Sequence, residues 1–120
     1  MSYDTNNIFA KIILGEVPCN KIYEDEHVLA FEDIQKAAPV HILLIPKGQY
    51  KSFNDFVALA ESDVINHFFK TAQKIASQLG LEDGGYRLVT NHGADSMQTV
   101  HHFHLHIIGG APLGEFAAGI

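Results

Sequence analysis

Histidine alternates with apolar residues from His102 to Ile108, and this alternation restricts the fold more than any other feature of the chain. The run reads His-Phe-His-Leu-His-Ile-Ile and is followed by Gly109-Gly110. A period of two predicts a half-buried strand, with residues 102, 104 and 106 on one face and 103, 105 and 107 on the other. Packing does not require three histidines in a row, so we interpret the row as a functional site.

Two kinds of site fit this row. A catalytic zinc ion usually has three protein ligands, but the outer histidines of a straight strand lie roughly 13 Å apart and cannot bind one ion. A zinc site would need a further ligand, such as His41 or His92. The alternative is an anion site, where imidazoles and backbone N–H groups surround a phosphate. The polar loop 91–99 favours an anion, because Gln98 and Thr99 offer amide and hydroxyl donors.

The remaining sequence predicts an α+β fold, a five-stranded antiparallel sheet with helix on one face. Asn7 is placed to cap a short helix from Ile8 to Leu14, which Gly15 ends. A longer helix is predicted to begin at Ser62 and to end before Gly80, since apolar residues recur there with the helical period. The predicted strands are 21–24, 28–32, 41–45, 86–91 and 103–108.

Length and composition exclude several classes of protein. A chain of 120 residues predicts one domain, 1–120. Its net charge of −6 argues against a protein that binds the nucleic acid backbone. Cys19 is the only cysteine, which favours a reducing compartment, and we expect a cytoplasmic protein. No segment is typical of a signal peptide or long enough to span a membrane.

The chain resembles the histidine triad family, and specifically its Hint branch, along nearly its whole length. The segments that carry the resemblance are NNIFAKIILGEVPCNKIYED, VLAFEDIQKAAPVHILLIPK and GYRLVTNHGADSMQTVHHFHLHIIGG. The resemblance implies a homodimer whose two subunits join their sheets. It also implies hydrolysis of purine nucleoside phosphoramidates through a nucleotidyl-histidine intermediate, with purine nucleotides such as AMP and GMP as ligands and without a metal or other cofactor.

The resemblance assigns catalytic roles to five residues. His104 is the expected nucleophile, and His102 is expected to orient and bury the site. His106 would contact the phosphate, and His41 would hydrogen-bond into the row, although it could equally be a core histidine. Thr99 would donate to the bridging or leaving atom, or it could only bond its own backbone.

The resemblance also implies a nucleotide pocket. Asp33 would accept hydrogen bonds from the ribose hydroxyls, unless it is only a turn residue. Apolar side chains would hold the base by stacking and burial, although the same residues are typical of a core. The residues expected to contact the nucleotide are Phe9, Ile12, Phe31, Glu32, Asp33, Ile34, Leu43, Asn91, Gln98, Thr99, Val100, His104 and His106.

The sequence departs from the Hint pattern at three places. Met97 lies where relatives commonly have glycine, Glu32 lies where they often have a basic or imidazole side chain, and many carry arginine at the start of the stretch from Gly110 onwards. In that branch the C-terminal tail shapes the choice of substrate, so these departures leave the preferred leaving group open. Dinucleoside polyphosphate hydrolases and nucleotidyl transferases use the same triad, although the spacing Gln98-Thr99-Val100 favours Hint. A non-catalytic nucleotide-binding module and a zinc-binding protein are the remaining alternatives.

Overall fold

One antiparallel sheet organises the chain in this computed structural model, which describes residues 2–115. Its strands are β1 (Lys21–Glu24), β2 (Val28–Glu32), β3 (Val40–Pro46), β4 (Tyr86–Val89) and β5 (Leu105–Gly109). They lie in the order β1-β2-β3-β5-β4. The helices within these residues are α1 (Ile8–Ile13), α2 (Phe53–Leu59), α3 (Ser62–Gln78) and a 3₁₀ turn at Ala94–Ser96. The predicted α+β fold with a five-stranded antiparallel sheet is confirmed.

Helix α1 packs on one face of the sheet and forms the smaller core cluster. Its N-cap is Asn7, as predicted, whose side chain accepts a hydrogen bond from the backbone N–H of Ala10 at 2.9 Å. Phe9 of this helix is buried against alternate sheet residues, namely Leu29, Phe31, Leu43 and Ile45. Phe9, Phe31 and Leu43 of this cluster are among the residues expected to hold the nucleotide base.

Helices α2 and α3 cover the opposite face of the sheet, so the expectation that helix lies on one face only is wrong. The buried stripe of α3 includes Phe68, Ala72 and Ile75, which lie in the same cluster as Ala30 and Ile42. Helix α2 was not predicted from the sequence. It buries only Phe56 and leaves its other apolar residues exposed, so its sequence shows no helical stripe.

The histidine row only partly follows the predicted strand. The sheet pairing of β5 begins at Leu105, so residues 102–104 reach the sheet without ladder bonds, and the chain bends at His101 and His102. The backbone N–H of Phe103 donates instead to the carbonyl of Tyr50 at 2.7 Å. The hydroxyl of Thr90 donates to the carbonyl of His104 at 2.8 Å, and this bond replaces a ladder bond beyond the end of β4.

Beyond β5, the carbonyl of Gly114 accepts a hydrogen bond from Nη2 of Arg87, on β4, at 2.7 Å. Residues 116–120 of the C-terminal stretch, which the resemblance links to the choice of leaving group, lie outside the described residues. Within 2–115, no helix is both long and apolar enough to cross a membrane.

Candidate active site

A cavity of about 420 Å³ opens between α1, strands β2 and β3, and the loop that leads to the histidine row. Every residue expected to contact the nucleotide lines this cavity, whereas His41 and His102 do not. Residues that the sequence did not assign to the site also line it, from the start of α1, from the turn between α1 and β1, and from the turn after β2. They are Ile8, Val17, Pro18, Cys19, Asn20 and Gln35.

The geometry of His104 leaves one ring nitrogen available for chemistry. Its Nδ1 lies 2.7 Å from the backbone carbonyl oxygen of His102, and because a carbonyl only accepts, Nδ1 carries the proton. The Nε2 atom therefore holds the lone pair in the neutral ring. Phe9 packs edge-on against this ring with centroids 4.9 Å apart. Burial lowers the pKa of His104, although the bond to His102 and the charge of Asp33 partly offset it. His104 is therefore neutral at pH 7.

His41 and His106 form a hydrogen-bond chain with a fixed direction. The backbone N–H of Ala37 donates to Nδ1 of His41 at 3.0 Å, so the proton of neutral His41 is on Nε2. That Nε2 lies 2.8 Å from Nδ1 of His106. Nδ1 of His106 therefore accepts, and its Nε2 carries a proton that is available as a donor. Burial, followed by the neighbouring His104 and His41, lowers the pKa of His106 to about 4.

His102 lies behind the cavity and is fully buried. Its Nε2 donates to the carbonyl of Pro46 at 2.8 Å, and its Nδ1 accepts from the hydroxyl of Tyr3. Burial lowers the pKa of His102 to about 4. Burial also raises the pKa of Tyr3, so its hydroxyl keeps its proton. Sequence reasoning missed Tyr3, because it lies in a polar N-terminal segment without periodicity.

The loop 91–98 is held in shape by its own side chains. Both amide hydrogens of Gln98 are used, since Nε2 donates to the carbonyls of Lys51 at 2.7 Å and Val100 at 3.0 Å. Its Oε1 accepts from the backbone N–H of Gly93. Asn91 donates through Nδ2 to the carbonyl of Ser96 at 2.8 Å. Gln98, which was expected to donate to the substrate, is therefore committed to shaping the loop in this structure.

Other donors at the same end of the cavity are unused. Within the described chain, neither the hydroxyl of Thr99 nor the backbone N–H groups of Thr99 and Val100 donate to another group. Thr99, Val100 and His106 line the same cavity as His104, so these groups and Nε2–H of His106 form a set of neutral donors in that cavity. The ring centroids of His104 and His106 are 5.3 Å apart. Such a set of donors can bind the oxygens of a phosphate.

The opposite end of the cavity is apolar. Phe9, Phe31 and Leu43 are buried, and the rings of Phe9 and Phe31 meet edge to face with centroids 5.7 Å apart. Ile12 is half-buried, whereas Ile34 is 97% exposed and lies at the rim, away from the core. The described structure therefore offers a base both a buried aromatic floor and an exposed aliphatic edge.

Two carboxylates lie between the apolar end and the histidines. Asp33 accepts through Oδ1 from the backbone N–H of Gln35 at 2.9 Å, and its Oδ2 lies 3.4 Å from Nε2 of His41. Glu32 bonds the side-chain amide of Asn20 and pairs with Lys36 at 3.0 Å. Among the described residues that line the cavity, none is lysine or arginine. The cavity therefore offers hydrogen-bond donors to an anion without a permanent positive charge.

The residues present do not fit a metal ion as they are arranged. Asp33, His41 and His106 each direct a potential ligand atom to one place, with these atoms within 4.8 Å of one another. A histidine nitrogen must present its lone pair to bind a metal. Nε2 of His41 carries a proton, however, because Ala37 donates to Nδ1. Metal binding here would require His41 to break its bond to the backbone.

Comparison with known proteins agrees with the observed fold. Residues 14–113 match the family model of the HIT domain. The purine nucleoside phosphoramidase of Escherichia coli K12 is 41% identical over 111 residues, which are 92% of each chain. A 14 kDa zinc-binding protein of Zea mays is 46% identical over 110 residues, covering 89% of this chain and 84% of that one. A solved histidine triad protein from Clostridium difficile superposes with a TM-score of 0.86 at 40% identity, covering 96% and 99% of the two chains.

Proposed function

The chain belongs to the HIT family, and from that premise we propose that it hydrolyses the P–N bond of purine nucleoside phosphoramidates. The observation that carries the proposal is the bond from His104 Nδ1 to the carbonyl of His102. It leaves the lone pair of Nε2 on a neutral, buried imidazole beside a set of phosphate donors. The similarity to a phosphoramidase supports this choice of reaction within the family.

The reaction proceeds in two displacements at phosphorus. Nε2 of His104 attacks, the P–N bond breaks, and the electron pair stays on the leaving nitrogen, which takes a proton from solvent through the Thr99 hydroxyl. In the nucleotidyl-imidazolium intermediate Nδ1 keeps its proton and donates it in a hydrogen bond to the carbonyl of His102, which stabilises the positive charge. Water then attacks phosphorus, the bond to Nε2 breaks, and the lone pair returns to His104 as the water proton is released. A histidine nucleophile divides one difficult substitution into two easier steps.

The charge that builds on the phosphoryl oxygens is bound by Nε2–H of His106 and by the backbone N–H groups of Thr99 and Val100. Donors that are already oriented need no reorganisation in the transition state, and this is the main source of such stabilisation. His41 keeps Nδ1 of His106 occupied as an acceptor, so that the His106 donor faces the substrate. Gln98 and Asn91 act through the shape of the loop.

The nucleoside occupies the other end of the cavity. The base lies against Phe9, Ile12, Phe31, Ile34 and Leu43, and Asp33 accepts from the ribose hydroxyls. Stacking and burial favour a purine over the smaller pyrimidine ring but distinguish poorly between two purines. AMP and GMP therefore bind with similar affinity. We propose that the active form is a cytoplasmic homodimer.

Hydrolysis of dinucleoside polyphosphates by the same triad is the second candidate reaction. Its leaving group is a nucleotide that carries several negative charges, which would normally be neutralised by lysine, arginine or a metal ion. The described lining of the cavity has neither lysine nor arginine and includes Glu32 and Asp33. An uncharged amine fits this lining better than a polyphosphate.

Zinc binding, which the name of the maize relative attributes to that protein, is not proposed for this chain. The proton on Nε2 of His41 occupies the place where the ion would bind. A non-catalytic nucleotide-binding role is the other alternative. Such a protein would form no covalent intermediate with the nucleotide, whereas the proposed hydrolase would.

The test is to trap the intermediate. The protein is mixed with adenosine 5′-phosphoramidate, quenched in alkali and examined by peptide mass spectrometry, and we expect an adenylyl group on His104. His104→Ala should form no adduct, should still bind AMP, and should lose several orders of magnitude in turnover. His101→Ala is the matched control, because His101 is adjacent in sequence and exposed. Turnover of His104→Ala within about tenfold of the wild type would contradict the proposal.

A further inference from the structure

Met97 has an unusual backbone for a residue with a side chain. Its φ of 63° and ψ of 39° lie in the left-handed region, and it is the one non-glycine residue with positive φ in the described chain. This conformation is costly for residues with a Cβ and is normally adopted by glycine or asparagine. Strained positions persist where the surrounding structure fixes them, and they concentrate at functional sites.

The loop imposes this conformation on Met97 through hydrogen bonds on both sides. The N–H of Met97 itself donates to the carbonyl of Ala94 at 3.0 Å, and the N–H of Gln98 donates to the carbonyl of Gly93 at 3.1 Å. The side chain of Gln98 ties the same turn to the carbonyl of Lys51. Glycine would satisfy all of these bonds without strain, so the methionine side chain is not explained by the loop.

The side chain of Met97 lies at the mouth of the cavity. It is 80% exposed, yet it lines the same cavity as Thr99, His104 and His106. Met97 belongs to the loop side of the cavity, two residues before Thr99, whereas the residues expected to hold the nucleoside come from α1, β2, β3 and the turn after β2. A thioether chain is flexible and polarisable, and it makes favourable contacts with apolar and aromatic groups.

The charges of the residues that line the cavity also favour an apolar leaving group. The charged side chains of the lining are the carboxylates of Glu32 and Asp33, and the described lining contains no lysine or arginine. A leaving group with a carboxylate would find no permanent cation among the described residues that line the cavity. An uncharged apolar leaving group could instead contact the side chain of Met97.

Building on the proposed hydrolysis of phosphoramidates, we propose that Met97 is a specificity-determining residue that contacts the leaving amine. The favoured substrates are nucleoside phosphoramidates whose amine carries an apolar group without negative charge. Met97 takes no part in bond making. The P–N bond breaks as already described, the nitrogen takes its proton from solvent, and the neutral amine leaves past the thioether.

The test compares leaving groups rather than absolute rates. The value of kcat/KM is measured for adenosine 5′-phosphoramidates of ammonia, benzylamine and β-alanine. We expect the wild type to prefer benzylamine over ammonia by up to about tenfold, the size of a favourable sulfur–aromatic contact. It should hydrolyse the β-alanine compound more slowly than the benzylamine compound.

Two variants that both keep a Cβ at the strained position separate side-chain chemistry from backbone strain. Met97→Leu retains an apolar side chain without sulfur and should keep part of the preference for benzylamine, whereas Met97→Gln has similar length and should lose it. Met97→Gly should also lose the preference, and it should raise the melting temperature because glycine removes the strain.

The failure of this inference is distinguishable from failure of the proposed function. If the wild type hydrolyses none of the three compounds, the proposed function is wrong. If it hydrolyses them but shows no preference for benzylamine, or if Met97→Gln and Met97→Leu keep the preference equally, the role of Met97 is wrong and the proposed function stands.

Discussion

The hydroxyl of Tyr3 donates a hydrogen bond to Nδ1 of His102, which lies 99 residues further along the chain. The two rings meet edge to face, with centroids 5.7 Å apart. His102 uses its other nitrogen on the carbonyl of Pro46, and its own carbonyl accepts from His104. The N-terminal segment is thus joined through the buried imidazole of His102 to the residue whose carbonyl binds the proposed nucleophile, His104.

Removing the Tyr3 hydroxyl should destabilise the protein. Tyr3→Phe keeps the ring contact but leaves Nδ1 of the fully buried His102 without a donor. An unsatisfied buried acceptor costs about 1–3 kcal/mol, and urea denaturation should show a loss of this size. Tyr23→Phe is the matched control, because the Tyr23 hydroxyl bonds Asp25 on an exposed surface, and its effect should stay within about 0.5 kcal/mol. Equal losses in the two variants would show that the bond to His102 has no special importance.

Stability should fall as the pH is lowered through the range of the buried histidines. Burial lowers the pKa of His102 from 6.5 to about 4 in the folded protein. Between these values the unfolded chain binds a proton that the folded chain does not, so stability rises with pH in this window and is constant above it. The contribution of His102 is about 3 kcal/mol, at about 1.4 kcal/mol for each pKa unit.

This pH dependence is measured by urea denaturation at several pH values between 4 and 7.5. His102→Gln should be less stable at neutral pH but should show a shallower decline between pH 6.5 and 4. His101→Gln should keep the wild-type decline, since His101 is exposed. If the decline is as steep in His102→Gln as in the wild type, other groups cause it.

The features that the sequence predicted correctly depend on neighbours a few residues apart. Asn7 bonds the N–H three residues later, and the helical period places Phe68, Ala72 and Ile75 on the buried face of α3. Helix α2 was missed because the contacts that stabilise it are tertiary, through Phe56. The Tyr3–His102 bond and the backbone of Met97 were missed for the same reason, since neither leaves a local pattern in the sequence.

The sequence predicted which residues line the cavity better than it predicted how those residues are arranged. The resemblance named residues that line one cavity, from Phe9 at one end of the chain to His106 at the other. It did not reveal that Gln98 is fully used by the loop or that Ile34 is exposed at the rim, because both depend on side-chain partners. The roles of these residues toward a nucleotide remain predictions.

Purified protein should contain less than stoichiometric zinc, and chelation should not slow hydrolysis. The physical reason is the bond from the N–H of Ala37 to Nδ1 of His41, which fixes the proton on the nitrogen that a metal would need. Elemental analysis measures the zinc content, and assays before and after treatment with EDTA measure the effect of chelation on hydrolysis. One zinc ion per chain, with activity lost on chelation and restored by zinc, would contradict the assignment of these tautomers.

We expect the protein to be a dimer at micromolar concentration, joined through the β4 edge. Exposed sheet edges are usually covered or protected. The β1 edge is protected by the charged residues Lys21 and Glu24 and by an irregular register. The β4 edge is regular and exposes Leu88, which is 46% exposed. Light scattering should show a dimer that Leu88→Lys weakens and that Ile22→Lys, on β1, leaves intact. A monomeric wild type, or equal effects of the two variants, would contradict this assembly.

Asp33 should distinguish ribose from a sugar without hydroxyls. Its carboxylate has about four lone-pair positions, of which the N–H of Gln35 uses one and His41 is near another. Two positions therefore remain for two ribose hydroxyls. Lost hydrogen bonds to a charged group cost roughly 1.5–3 kcal/mol, so 2′,3′-dideoxy AMP should bind about ten- to a hundredfold more weakly than AMP.

Asp33→Ala should bring the affinities for AMP and its dideoxy analogue close together, because the variant lacks the group that senses the hydroxyls. Asp95→Ala is the control, since Asp95 is an exposed carboxylate that does not line the cavity, and it should keep the wild-type difference. Titration calorimetry with both ligands on the three proteins measures the effect. Equal affinity of the wild type for the two ligands would mean that Asp33 serves only the turn to Gln35 and the orientation of His41.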